Sequence, residues 1–251
     1  MYTDFAAVYD RLMREVDYEG WARYYASLLA KAGVPGGAVC ECACGTGSLT
    51  VPLGRLGYRM TGVDLSRDML SVAAQKARQA GLQIPFVQQD MTALRLHRRQ
   101  RAVLCTCDGV NYLTTPARAR RFFAAAWAAL EPGGALIFDV STPEKLQNIL
   151  GGNTLGCMDE DVSYIWQNAW HPRTCTVDLR LSIFVRQGDG RYQRLEERQR
   201  QRAYTKEELT EYLSRAGFTN VRFFGDRTRR APRPGEERWH IVALRPKEKR
   251  I

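Results

Sequence analysis

The sequence predicts an α/β protein, a doubly wound and mostly parallel seven-stranded sheet with an antiparallel β-meander inserted late in the chain. Three observations carry that expectation. Between residues 38 and 140, short apolar runs alternate with stretches of helical periodicity. The turn Ala43-Cys44-Gly45-Thr46-Gly47 follows the first of those runs, and Asp64 ends the next one, 64 − 41 = 23 residues after Glu41. Beyond Thr142 the alternation gives way to three long β-branched and aromatic runs before it resumes.

Two helices open the chain. Residues 2–14 place Phe5, Val8, Tyr9 and Leu12 on one face, and residues 18–32 place Trp21, Tyr24, Tyr25, Leu28 and Leu29 on another. Gly33-Val34-Pro35-Gly36-Gly37 stops the second helix. Strand 38–41 then leads to helix 49–56, strand 59–64 to helix 67–80, and strands 84–88 and 101–107 to helix 116–130. Glu131-Pro132-Gly133-Gly134 is a helix stop before strand 135–140. The runs 163–170, 174–186 and 191–202 are separated by His171-Pro172-Arg173 and by the hairpin signal Gln187-Gly188-Asp189-Gly190. Thr205-Lys206-Glu207-Glu208 is a capping box for helix 205–216, and strands 220–225 and 238–244 close the sheet. The expected organisation is therefore a main domain of residues 1–142 and 203–246 with a helical cap, an inserted sheet of residues 143–202 acting as lid and substrate subdomain, and a frayed tail of residues 247–251.

Composition narrows the function. The 251 residues are enough for a sizeable core, and no apolar run approaches the roughly 18 residues of a membrane span. The first residues lack the apolar segment of a secretory signal, so a cytoplasmic location is expected. The net charge of +10 raises nucleic acid as a partner. Residues 1–150 carry 17 Lys+Arg against 13 Asp+Glu, however, and residues 151–251 carry 20 against 14, so the excess is spread out. The basic runs at 95–101 and 222–238 do not interleave aromatics as a stacking platform would. That pattern argues for a solvated basic surface. Seven cysteines, an odd number, point to reduced thiols. Cys40, Cys42 and Cys44 alternate on one strand and Cys105 and Cys107 on another, at a C-x-C spacing unlike that of zinc sites. They are expected to pack rather than bind metal.

The chemistry-bearing residues sit at strand ends. Glycines let backbone approach a ligand, and the N–H groups of the following helix point at the same place. Asp64 is placed to take both hydroxyls of a ribose. Glu41 lies just before the turn, aimed where an amino group would sit. Asp90, ending a third strand, is placed to accept from an adenine amino group while Met91 covers the ring. A nicotinamide fingerprint needs an intact G-x-G-x-x-G, which Ala43 and Thr50 break.

Glu41…Gly45-Thr46-Gly47, then Thr61-Gly62-Val63-Asp64-Leu65-Ser66…Met69-Leu70, then Gln89-Asp90-Met91 resemble the first three motifs of class I S-adenosylmethionine (SAM)-dependent methyltransferases. The stretch Cys105-Thr106-Cys107-Asp108-Gly109-Val110-Asn111-Tyr112-Leu113 resembles the fourth. The opening Tyr2…Phe5-Ala6…Tyr9-Asp10…Asp17-Tyr18…Trp21 and the inserted meander are similar in layout to a bacterial small-molecule subgroup that includes sugar-amine and glycine N-methyltransferases. The resemblance implies a Rossmann-like fold and SAM as cofactor. It also implies roles. Glu41 would orient a turn water or the methionine ammonium, with the backbone of Ala43, Gly45 and Gly47 wrapping the methionine arm. Ala43 replaces the usual glycine, which is tolerable if its backbone stays in the β region. Asp64 would hold the ribose, and Leu65, Met69, Asp90 and Met91 the adenine. Cys107, ending its strand, would offer its carbonyl, while Tyr9 and Trp21 close over the cofactor.

Methyl transfer needs an acceptor held in line in a dry site, plus a base when the acceptor is oxygen. Asp108, Asn111 and Tyr112 are candidates to orient an amine, and His171 is the candidate base. If the inserted sheet is a lid, Tyr164, Trp166, Arg202 and Tyr204 would contribute to the acceptor pocket. The leading expectation is a small-molecule acceptor and a monomer or homodimer. An RNA methyltransferase and a non-catalytic SAM-binding protein stand as alternatives.

Overall fold

A computed structural model describes residues 3–248. Tyr2 of the opening segment and residues 249–251 of the expected frayed tail lie outside that range. The elements run α1 (Thr3–Leu12), α2 (Tyr18–Lys31), β1 (Ala38–Cys42), α3 (Thr50–Arg55), β2 (Arg59–Asp64), α4 (Arg67–Gln79), β3 (Phe86–Gln88), β4 (Gln100–Cys105), α5 (Pro116–Ala129) and β5 (Leu130–Ser141). Four further strands follow, β6 (Thr154–Cys157), β7 (Val162–His171), β8 (Thr176–Arg186) and β9 (Tyr192–Arg202). The chain then returns through α6 (Lys206–Arg215), β10 (Thr219–Phe224) and β11 (Arg238–Leu244).

The main sheet has the order β10-β11-β5-β4-β1-β2-β3. β1 pairs in parallel with both β2 and β4, whereas β11 runs antiparallel to β5 and β10. The strand order reverses between β1 and β4, so their carboxyl ends open a crevice where α/β sheets bind ligands. β1 can lie there because Val39, Cys40 and Cys42 are fully buried, and small thiols suit a strand covered on both faces. The helices start where polar side chains satisfy free N–H groups. Ser66 accepts from Met69 N, Thr115 from Arg118 N ahead of Pro116, and Thr205 with Glu208 forms the expected capping box. One face of the sheet packs Phe122, Phe123, Phe138 and Leu213, and the other packs Tyr25, Leu28, Leu29 and Leu53.

The second sheet has the order β6-β7-β8-β9 and is antiparallel throughout. A three-stranded meander is the expectation from sequence; the structure adds β6 as a fourth strand. Thr154-Leu155-Gly156-Cys157 is short, wholly exposed and without alternation, so only its pairing with β7 makes it a strand. α1 lies between this sheet and α4. Phe5, Ala6 and Val8 pack against Met69, Val162, Ile183 and Val185, each large side chain contributing roughly 1.5–3 kcal/mol of burial. That packing places α1 over the crevice.

Candidate functional site

The turn after β1 is tightly wound. Ala43, Gly45 and Gly47 have φ of 53°, 53° and 71°. The expectation that Ala43 stays in the β region is therefore corrected. Its left-handed backbone, about 1 kcal/mol costly for an alanine, turns the chain so that Cys44 N donates to Val63 O and Gly45 N donates to Asp64 Oδ2 at 2.8 Å. The other oxygen of Asp64 accepts from Ser66 N at 2.9 Å. The carboxylate is thus fixed by two backbone donors. At Gly47 a Cβ would come within 3.0 Å of Ala73 Cβ, so glycine there lets the turn seat against α4. Gly45 has open space where its Cβ would be.

A cavity of about 290 Å³ opens above this turn, walled by Tyr9, Glu41, Ala43, Gly45, Asp64 and Cys107 along its length. Leu65, Met69, Asp90 and Met91 line it as well. Asp90 is held by Thr92 N at 2.8 Å and by Arg118 at 3.1 Å; although burial raises its pKa, these donors bring it below the usual range. Glu41 is deeply buried, its two oxygens accepting from the hydroxyls of Thr50 and Thr106. Burial pushes its pKa up to about 7, against those two hydrogen bonds. The burial of Tyr9 and Cys107 pushes their pKa values up, so both stay protonated at neutral pH.

Cys107 is not a strand residue, which corrects the sequence expectation. β4 ends at Cys105, and Cys107 and Asp108 have φ of 52° and 66°. Both amide groups donate to the buried carboxylate of Asp139, at 2.8 and 3.1 Å, and this pulls the chain out of the strand.

A second cavity of about 270 Å³ adjoins the first, and Phe5, Tyr9, Cys107, Tyr112 and Gln199 line both. Tyr112 donates to Gln199 Oε1 at 2.7 Å, joining the segment after β4 to β9. Asp108, Tyr164 and Trp166, expected from sequence as acceptor residues, line this second cavity. Trp21 lines it too rather than the first one. Its ring packs on Tyr25 and His240 with Arg238 over its face, which keeps it away from the glycine turn.

Other expected site residues stand elsewhere. Gly47 borders a surface groove behind the turn, not the first cavity. Asn111 is fully buried, donating to Ser141 O and Arg202 O and accepting from Ser141 N, so its amide ties β5 to the end of β9. His171 sits at the exposed end of β7, 3.0 Å from Asp178, and lines neither cavity. Arg202 is paired with Glu208 at 2.6 Å and lies over the ring of Tyr204. Tyr204 is itself fully buried, donating to Leu113 O. Neither lines a cavity.

Sequence reasoning missed Thr106 and Thr50, which hold Glu41, and Gln199, which carries no motif. It also missed Asp10. Lys76 Nζ lies 2.6 Å from Asp10 Oδ2 and donates to the hydroxyls of Thr46 and Ser48, while Thr46 Oγ1 donates to Asp10 Oδ1 at 2.7 Å. These bonds fasten α1 to the glycine turn.

Residues 39–134 match a family profile described as a methyltransferase domain. A provisionally named methyltransferase of Geobacillus sp. (strain WCH70) is 36% identical over 243 residues, 96% of this chain and 98% of its own length. The crystal structure of an S-adenosylmethionine-dependent methyltransferase from Clostridium acetobutylicum ATCC 824 superposes with a TM-score of 0.89 at 30% identity, covering 98% of this chain and 99% of that one. CalS10, a SAM-bound amino pentose methyltransferase from Micromonospora echinaspora, shares the fold with a TM-score of 0.77 at 22% identity, covering 95% and 96%. No helix among the described residues is long and apolar enough to cross a membrane.

Proposed function

Because the chain belongs to the SAM-dependent methyltransferase family, we propose that it transfers the methyl group of SAM to an amine of a small molecule held in the second cavity. The cofactor fits the residues present. Two carboxylates, Asp64 and Asp90, stand on one stretch of the first cavity beside the apolar side chains of Leu65, Met69 and Met91, a donor set suited to a ribose and a purine. The open space over Gly45 would accept the methionine arm, and a cation bound there would favour the ionised form of the nearby Glu41. When bound, SAM supplies an electrophilic methyl carbon on a sulfonium.

An acceptor lone pair would take that carbon in line, with the electrons of the carbon–sulfur bond left on sulfur. The acceptor's proton leaves to solvent. Little covalent help is needed, so alignment and exclusion of water supply most of the rate. Phe5 and Tyr9 cover the junction of the two cavities from α1, and Tyr112 and Gln199 border it from the opposite side. An amine is the better-suited acceptor. An alcohol would need a base, whereas Tyr9 and Cys107 at the junction hold their protons and His171 is remote.

The observation that carries the reading is the pair of adjoining cavities with five shared wall residues. A methylation screen over amines, sugars and phenols tests it, with Asp64→Ala as control. Loss of the charged hydrogen-bond acceptor, about 1.5–3 kcal/mol, should weaken SAM about 10- to 100-fold. Transfer to bulk RNA with none to any small acceptor would overturn the proposal.

A further inference from the structure

His240 is a fully buried titratable group that walls neither cavity. It lies on β11, directly across from Asp139 of β5 and from Phe224 of β10. The rings of Trp21, Tyr24 and Tyr25 from α2 stand at steep angles to its imidazole, with centroids 5.7, 4.8 and 5.6 Å away. Nδ1 is 3.2 Å from Tyr25 Oη, and Nε2 is 3.3 Å from Asp226 Oδ1 in the segment after β10.

These neighbours decide which protons the ring carries. Burial first and Asp139 second push the pKa of Tyr25 up, so it keeps its one hydroxyl proton, and that proton is donated to Asp139 Oδ1 at 2.6 Å. Nδ1 therefore meets the lone pairs of Tyr25 Oη and must donate to them. The hydrogen bond from His240 brings Asp226 below the usual carboxylate range, so an acceptor alone faces Nε2, which must donate as well. With both nitrogens protonated the buried ring is a cation. The surrounding charges agree with it. Asp139 and Asp226 flank the ring, Arg238 bridges Asp139 to Asp108, and Lys145 faces Asp108. Arg227 stands 3.9 Å from Asp226, and Arg229 acts on Tyr24.

The state of the ring reaches the site through Asp139. Oδ1 of that carboxylate takes Tyr25 and Cys107 N, and Oδ2 takes Asp108 N and Arg238. The bonds from the two amides hold Cys107 and Asp108 in left-handed backbone, which is strained without support. Cys107 walls both cavities and Asp108 the second. A neutral ring with a lone pair on Nδ1 would draw the Tyr25 proton away from Asp139 and loosen this turn.

Resting on the methyltransferase reading above, we infer that His240 is a positioning residue of the transfer site. Its imidazolium donates to Tyr25 and Asp226, which leaves the Tyr25 proton to Asp139, and Asp139 fixes the turn at Cys107 and Asp108 between the two cavities.

The test is NMR of the full-length, nitrogen-labelled protein over a pH titration, with calorimetry of S-adenosylhomocysteine binding alongside. The chain has three histidines, so His240→Gln assigns the ring signals. Both ring nitrogens of His240 should carry protons at neutral pH. As the ring loses one at higher pH, the amide signals of Cys107 and Asp108 should move with the same midpoint. In Tyr25→Phe they should no longer follow the ring. The titration is repeated in Glu41→Gln, because Glu41 also acts on Cys107. Asp226→Asn, a change at a half-exposed carboxylate, should lower the midpoint, and it brings the titration into range if the wild-type ring keeps both protons throughout. Affinity for S-adenosylhomocysteine should fall about three- to tenfold in His240→Gln and in Tyr25→Phe, as for one lost hydrogen bond. The double variant should lose no more, because both side chains act through Asp139. A ring with a single proton at neutral pH, amide signals that ignore its titration, or additive losses in the double variant overturns the inference. If the wild-type protein does not bind S-adenosylhomocysteine, the methyltransferase reading itself has failed, while the ring and amide signals still decide whether His240 governs the turn.

Discussion

Glu41→Gln isolates one buried charge. The glutamate lies under the glycine turn, 1% exposed, with a threonine hydroxyl on each oxygen, and burial moves its pKa from 4.5 to about 7. A carboxyl whose pKa is raised on folding favours the folded state when protonated. Its contribution is complete below about 4.5 and is lost as the pH rises through about 7. At about 1.36 kcal/mol per unit, that displacement corresponds to about 3 kcal/mol. Urea denaturation of the cofactor-free protein at intervals from pH 4.5 to 8 would measure it. The stability difference between wild type and Glu41→Gln should fall by about 3 kcal/mol over this range, because the amide does not titrate. The ligand adds a second reading. A cation bound beside Glu41 favours its ionised form, so SAM binding near pH 7 should release roughly half a proton in the wild type and none through this site in the variant. Calorimetry in buffers of different ionisation enthalpy counts that proton. Parallel stability curves for the two proteins would refute the reasoning.

Two further outcomes follow from the same geometry. His171→Ala should leave kcat and its pH profile unchanged, since the imidazole is exposed at the end of β7 beside Asp178; a tenfold loss of kcat would restore it as a base. Asp10→Asn removes the ion pair to Lys76 that fastens α1 over the cavity. The pair is about a third exposed, so the loss is limited to about 1 kcal/mol. The expected result is roughly fivefold faster release of S-adenosylhomocysteine, read by stopped-flow fluorescence, with added salt having the same direction of effect on the wild type.

The parts of the site legible in the sequence are those where chemistry and backbone geometry coincide. Asp64, Asp90 and Gly45 each sit at a strand end, and such positions are set by local pattern. Glu41 was legible as an acid before the turn, but its threonine partners were not, because Thr50 and Thr106 meet it only when α3 and β4 pack on β1. Asn111 and Arg202 misled for a related reason. Polar residues next to a motif read as substrate contacts, yet these two are spent on closing the inserted sheet onto the main one, Asn111 by donating to the carbonyl of Arg202. Ala43 shows the limit of steric reasoning from sequence. A left-handed alanine is disfavoured alone, but the bonds from Cys44 N and Gly45 N to β2 hold it there. β6 was invisible because an edge strand with exposed side chains has no burial pattern to report.

The arrangement of the two cavities says something about how closure and selection are linked. The junction is built from segments distant in sequence: Phe5 and Tyr9 from α1, Cys107 and Tyr112 from the segment after β4, and Gln199 from β9. α1 cannot leave the first cavity without also uncovering the second one, because the same two side chains wall both. Nor is α1 held by the main domain alone. Asp10 fastens it to the glycine turn, while Phe5 and Val8 bury themselves against Ile183 and Val185 of the inserted sheet. A change that tightens the inserted sheet on its acceptor therefore also tightens the cover over the cofactor, and the reverse holds by linkage. In a reaction whose rate depends on holding a methyl donor and its acceptor in line and dry, such shared walls would couple occupation of one cavity to completion of the other.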